Sequence, residues 1–235
     1  MVQAPQRTAL SGPTLVRLLA RVAQADIAEP RQSLSDRLSD WLGWTDAITL
    51  SSALNGAAGH ARATGSDAGA DAQASSERVR ASLTRAIATT TRGPAAQTRS
   101  HASPAEPPPP DYADFRQRYQ SLQQTMESDI GDLRRRLRVM VVATTPGMAK
   151  LATVDAVMER SLGARERSLL ATVPTLLGAH FERLRGAAQP AADADAAPSG
   201  AWLRAFLDDM RSVLLAELEV RFQPVEGLLA ALRTR

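Results

Sequence analysis

Asp111 to Ala143 reads DYADFRQRYQSLQQTMESDIGDLRRRLRVMVVA, and this stretch decides the fold class. Its large apolar side chains are Phe115, Tyr119, Leu122, Met126, Ile130, Leu133, Leu137 and Met140, with steps of three or four residues between them. That spacing gathers all of them on one face of an α-helix and on no face of a strand, whose period is two. Acidic residues open the stretch (Asp111, Asp114) and arginines close it (Arg134, Arg135, Arg136, Arg138), the order that complements a helix dipole.

The same period extends outward. Pro146 ends the first helix, and a second carries Leu151, Val154, Met158 and Leu162. A third, over 164–185, holds Leu169, Leu170, Val173, Leu176, Leu177, Phe181 and Leu184, with a kink expected at the interior Pro174. From Ala201 a last stripe, starting at Leu207, Met210, Leu214, Leu218 and Phe222, reaches Leu232, and Pro224 should bend or split it. Toward the N-terminus a helix over 12–25 buries Leu15, Leu18, Leu19 and Val22, with Ser11 as candidate N-cap. Another opens at Ser33, where Asp36 suits a capping box, and carries Leu34, Leu38, Trp41 and Leu42 as far as Gly43. Asp46 to Leu54 suits a short helix, and 76–91 an isolated one.

Three stretches, 55–75, 92–110 and 186–200, are small, polar or proline-rich and too poor in apolar surface to offset the entropy of ordering. Pro107 to Pro110 favours a stiff polyproline II segment. The expected architecture is all-α, with amphipathic helices in a bundle or coiled-coil-like arrangement separated by disordered linkers. Its parts are an N-terminal helical segment (1–55), a mostly disordered linker (56–110) with one helix, a central helical segment (111–185), a linker (186–200) and a C-terminal amphipathic helix (201–235).

Composition removes several function classes. With no cysteine, disulfides, thiolate nucleophiles and thiolate metal sites are impossible. No signal peptide pattern opens the chain, and its longest apolar run, Val139 to Ala143, is far short of the roughly 20 residues that span a bilayer. A cytoplasmic location is the expectation. Of the 28 basic residues only Lys150 is a lysine, a bias that fits a GC-rich coding sequence as well as it fits nucleic-acid binding. Net charge is 0 over 1–55, +2 over 56–110, +3 over 111–185 and −2 over 186–235, so no region concentrates positive charge.

No glycine-rich phosphate loop, dinucleotide fingerprint or nucleophile elbow is present, and we expect no enzyme, cofactor or metal. His180 borders the apolar face of its helix and reads as a core-edge histidine bonded to a neighbour. Catalysis there would require a carboxylate beside it in a real pocket. Asp208 and Asp209 diverge by about 100° on a helix and suit a solvated face better than an acid/base pair.

The candidate interaction residues are Trp41 and Trp44, which share a face only if the helix continues through Gly43, and the C-terminal Leu207, Met210, Leu214, Leu218 and Phe222. Both tryptophans are expected to pack inside the chain, and docking of the C-terminal stripe within the chain is the plainer outcome. Arg134, Arg135, Arg136 and Arg138 form a candidate anion contact; the plainer role is pairing with Glu127, Asp129 and Asp132 at a helix end. The reading is a non-enzymatic helical protein that binds a protein partner or itself; the alternative is a nucleic-acid-associated regulator using Arg134 to Arg138.

Arg7 to Leu19 (RTALSGPTLVRLL), Gln32 to Ala47 (QSLSDRLSDWLGWTDA), Arg167 to Arg185 (RSLLATVPTLLGAHFERLR) and Pro224 to Leu232 (PVEGLLAAL) resemble an uncharacterised family of small helical proteobacterial proteins, a domain of unknown function. The resemblance carries no functional residue. It implies an envelope-associated assembly with this chain as a cytoplasmic accessory subunit, peripheral to the inner membrane through a protein partner.

Overall fold

The computed structural model describes residues 14–25, 33–55, 67–92, 110–188 and 200–233. These residues form eight helices and no strand: α1 (Thr14–Ala23), α2 (Leu34–Trp41), α3 (Trp44–Asn55), α4 (Asp67–Thr90), α5 (Tyr112–Val142), α6 (Pro146–Leu170), α7 (Val173–Ala188) and α8 (Ala201–Arg233). The all-α expectation is met, and the apolar residues assemble into a shared core.

Three long helices make the frame. The apolar stripe of α5 is buried along its length from Phe115 to Val141. It packs on α8, which buries Leu207, Met210, Leu214, Leu218 and Phe222 among others. Each large apolar side chain so buried contributes roughly 1.5–3 kcal/mol. The helices run parallel, Phe115 meeting Phe206 at one level and Tyr119 meeting Glu217 further on. α4 completes the frame antiparallel to α8: Gln73 bonds Arg233, while Arg80 bonds Glu219 and Glu226.

The fourth side of this bundle is a broken helix. α6 and α7 follow one another antiparallel to α5, separated at Ala171–Thr172. α7 packs closely on α8, joined there by α1, whereas α6 holds to α5 and is covered on another side by α3. α6 and α8 therefore diverge, and the fourth corner of the bundle is filled over only half its length.

Several local expectations are corrected. Residues 67–75 and 186–188 belong to α4 and α7, not to linkers. The face of α4 passes through Ala72 and Ser76 before Leu83 and Ile87, all buried. Small side chains make a stripe of low hydropathy, yet they let α4 approach its neighbours closely. The helix over 76–91 is accordingly the C-terminal part of a bundle helix and not isolated. Asn55 closes α3, and residues 56–66, 93–109 and 189–199 of the expected linkers, with Ser11, lie outside the described residues.

The chain breaks before Pro174 instead of kinking at it: Pro174 sits in the first turn of α7, where a missing N–H costs nothing. Pro224 does not split α8, whose apolar face continues through Val225, Leu228, Leu229 and Leu232 in the core. Ser33 and Asp36 form the expected reciprocal capping box.

Candidate functional site

Two polar clusters hold α6 in place, and an open groove lies between them. At one end α5 contributes Arg134 and Arg138. Arg134 donates to Asp155 at 2.7 Å, and Arg138 donates to Asp155 at 2.8 Å and Glu159 at 2.6 Å. These pairs run between helices, not along α5 as the sequence suggested. Burial works against the charge on Arg138, but its hydrogen bonds to Asp155 and Glu159 outweigh that and raise its pKa. Arg135 pairs with Asp132 one turn away, and Arg136 is exposed. The arginine run is thus divided among three tasks and presents no joint surface to a phosphate chain.

At the other end the anchor is buried. Glu217 of α8 is fully enclosed and accepts from Tyr119 Oη at 2.7 Å, from Gln123 Nε2 at 3.1 Å, and from Arg221 Nε and Nη2 at 3.0 and 2.9 Å. Arg221 reaches onward to Glu166 of α6 at 3.1 Å. Gln123 also donates to the Leu170 carbonyl at 3.0 Å, satisfying an orphan acceptor at the C-terminus of α6. Burial, with Glu217 beside it, pushes the Tyr119 phenol far above its ordinary range and keeps it a donor.

Between these anchors a cavity of about 480 Å³ opens along the seam of α5, α6 and α8. Its apolar lining includes Met126, Ile130, Val154, Met158, Leu162 and Leu228. Each helix also places a glycine on it: Gly131 from α5, Gly163 from α6 and Gly227 from α8. A Cβ added at Gly131 or Gly227 would meet nothing within 4 Å, and at Gly163 only the tip of Arg167 at 3.7 Å. The groove is the unfilled half of the fourth corner.

The candidates named from sequence fall elsewhere. Leu207, Met210, Leu214, Leu218 and Phe222 are buried within the chain, so this stripe offers no free surface in this fold. Trp41 packs beneath the Arg165 guanidinium, 5.2 Å from its ring centroid. Trp44 does not pack: it is 81% exposed, with Ile48 exposed one turn later. The break at Gly43 separates the two tryptophans onto different helices.

His180 Nε2 lies 2.8 Å from Asp209 Oδ2, so Asp209 belongs to an interhelical pair while Asp208 faces solvent. On its other side His180 Nδ1 faces the Arg183 guanidinium, which donates to the Val22 carbonyl at the end of α1. The ring packs near Phe206 and does not line the groove. Among the described residues no group of three or more acidic or histidine side chains could hold a metal ion, and no helix is long and apolar enough to cross a membrane.

The groove escaped sequence reading, though it left a signal. Gly131 and Gly163 are isolated glycines inside strong helical patterns, and such glycines mark close approaches or a helix kept weaker than it need be.

A family model described as "Protein of unknown function (DUF3348)" matches residues 1–234. The chain belongs to this family. Among curated proteins and among solved structures there is no match. This DUF3348 member therefore draws its functional reading from its own geometry.

Proposed function

We propose that this protein is a non-enzymatic helical interaction protein whose partner docks in the groove between α6 and α8. The observation that carries the reading is the half-empty fourth corner of the bundle, lined with apolar side chains and three glycines, two of which, Gly131 and Gly227, face open space. An apolar corner left open between helices of a bundle offers a surface on which the apolar face of a partner helix can pack. The exposed Trp44 and Ile48 extend the apolar surface on the far side of α6. The role of accessory subunit in an envelope-associated assembly, cytoplasmic and reaching the inner membrane through its partner, rests on the resemblance noted above. The nucleic-acid alternative is weaker, since Arg134 and Arg138 are committed to Asp155 and Glu159.

Affinity purification from the native cell tests this with two chains, wild type and Gly131→Leu. A protein recovered with the first and lost with the second supports groove docking. Equal recovery with both chains, or none with either, contradicts it.

A further inference from the structure

Away from the groove, the hold on α1 runs through His180, the one histidine among the described residues. α1 is ten residues long, a length at which a helix is marginal unless it is packed. It packs on α7 and α8, burying Leu15 and Val22. Just past its end Gln24 takes a left-handed φ of 53°, which a residue with a Cβ adopts at a cost. The Arg183 guanidinium of α7 donates to the Val22 carbonyl, and the same nitrogen, Nη2, lies 3.4 Å from His180 Nδ1. A guanidinium can only donate, so Nδ1 accepts and carries no proton. The ring proton is then on Nε2, which donates to Asp209 Oδ2 of α8 at 2.8 Å. Neutral His180 thus completes a chain of contacts from α8 through α7 to the end of α1.

We infer that this chain is a pH-operated latch: when His180 takes up a second ring proton, Arg183 loses its grip on the Val22 carbonyl and α1 undocks. A proton on Nδ1 removes the acceptor and sets a positive ring against a positive guanidinium. The ring is fixed by Asp209 and by its contact with Phe206, so the flexible Arg183 side chain is what gives way. Asp209 acts in the opposite sense: it favours the imidazolium, and its bond to Nε2–H becomes charge-assisted. Protonation therefore exchanges one link for another, tightening α7 on α8 while loosening α7 on α1. The other charged groups of these helices are engaged elsewhere or face solvent. Glu182 of α7 pairs with Arg185. Arg204, Asp208 and Arg211 on α8, and Arg17 and Arg21 on α1, are exposed. Tyr112 of α5, on the other side of Phe206, is pushed up to about 12 and stays neutral as the pH falls.

Hydrogen–deuterium exchange on the full chain, corrected for the pH dependence of intrinsic exchange, tests the latch. The comparison is between about pH 7.5 and about pH 5.5, a range in which an imidazole changes charge and carboxylates ordinarily do not. In the wild type, α1 amides should lose protection by at least about fivefold at the lower pH, while α4 keeps its own. His180→Gln retains a donor for Asp209 but cannot take up the proton, so its α1 should be equally protected at both pH values. Arg183→Gln removes the guanidinium, and its α1 should be open at both. Wild-type α1 that keeps its protection on acidification, an equal fall in His180→Gln, or a loss shared by α4 overturns the inference. Should His180→Gln fail to fold, Arg183→Gln decides. Its α1 already open at the higher pH, with no further acid response, supports the latch; protection and acid response equal to the wild type overturn it.

Discussion

Glu217 is one side chain on which three helices depend. Tyr119 and Gln123 of α5 donate to it, and Arg221 carries its charge outward to Glu166 of α6. A buried carboxylate is tolerated only because every partner is present. Arg221→Met should therefore cost about 3–5 kcal/mol by stranding Glu217. Adding Glu217→Leu to that variant should restore much of the loss, a recovery that denaturant melts would register. Gly178 is a different case: a Cβ there would sit 2.8 Å from the Tyr112 ring, which is held between Phe181 and Phe206. Gly178→Ala should cost roughly 1–3 kcal/mol by overpacking. The groove glycines behave oppositely. Gly131→Ala and Gly227→Ala put a methyl group into open space and should each raise stability by about 0.5–1 kcal/mol. The sequence shows all these glycines alike. Only the neighbour across the gap, Tyr112 in one case and nothing in the others, tells them apart, and that neighbour is distant in the chain.

The tyrosines also set the response to alkali. Burial raises the Tyr112 phenol to about 12, partly offset by Arg116, and raises Tyr119 further. Neutral phenol is thus favoured in the folded chain. Above the ordinary phenol pKa near 10 the unfolded chain releases protons that the folded one keeps. Stability from this source is complete below pH 10 and is lost as pH rises through about 12. Equilibrium melts of wild type against Tyr112→Phe across that window should show a shallower alkaline decline in the variant.

At the scale of elements, long periodic helices were legible and their partners were not. α5 and α8 follow their leucine and aromatic stripes closely, because hydrophobic periodicity needs only local spacing. α4 began earlier than expected because Ala72 and Ser76 carry its face without raising hydropathy. The arginine run was visible, but its acceptors Asp155 and Glu159 lie on the following helix, and helical spacing cannot reveal a contact between helices. Arg138 bonds both carboxylates. Arg138→Gln should therefore loosen α6 at its N-terminal half and speed amide exchange around Asp155 and Glu159, leaving α4 unchanged. A uniform change across all helices would show that this pair does not act locally. Arg183 plays a similar part for α1, tying the Val22 carbonyl to α7.

At the scale of the whole molecule, the decisive feature is a bundle whose fourth position is filled by α7 at one end and vacated by α6 at the other. The break at Ala171–Thr172 allows it, Gln123 and Arg221 hold the C-terminal end of α6, and Arg134 and Arg138 hold its middle. The all-α class follows from the stripes. The groove follows from where two of them diverge, and that depends on ion pairs separated by tens of residues. The most direct measurement places a photo-crosslinking amino acid at Leu162, on the groove wall, or at Val139, exposed and outside it, in the full-length chain in its native cell. The account predicts one discrete protein adduct from position 162, absent from position 139 and abolished by Gly227→Leu. No adduct from 162, or the same adduct from both positions regardless of Gly227, would contradict it.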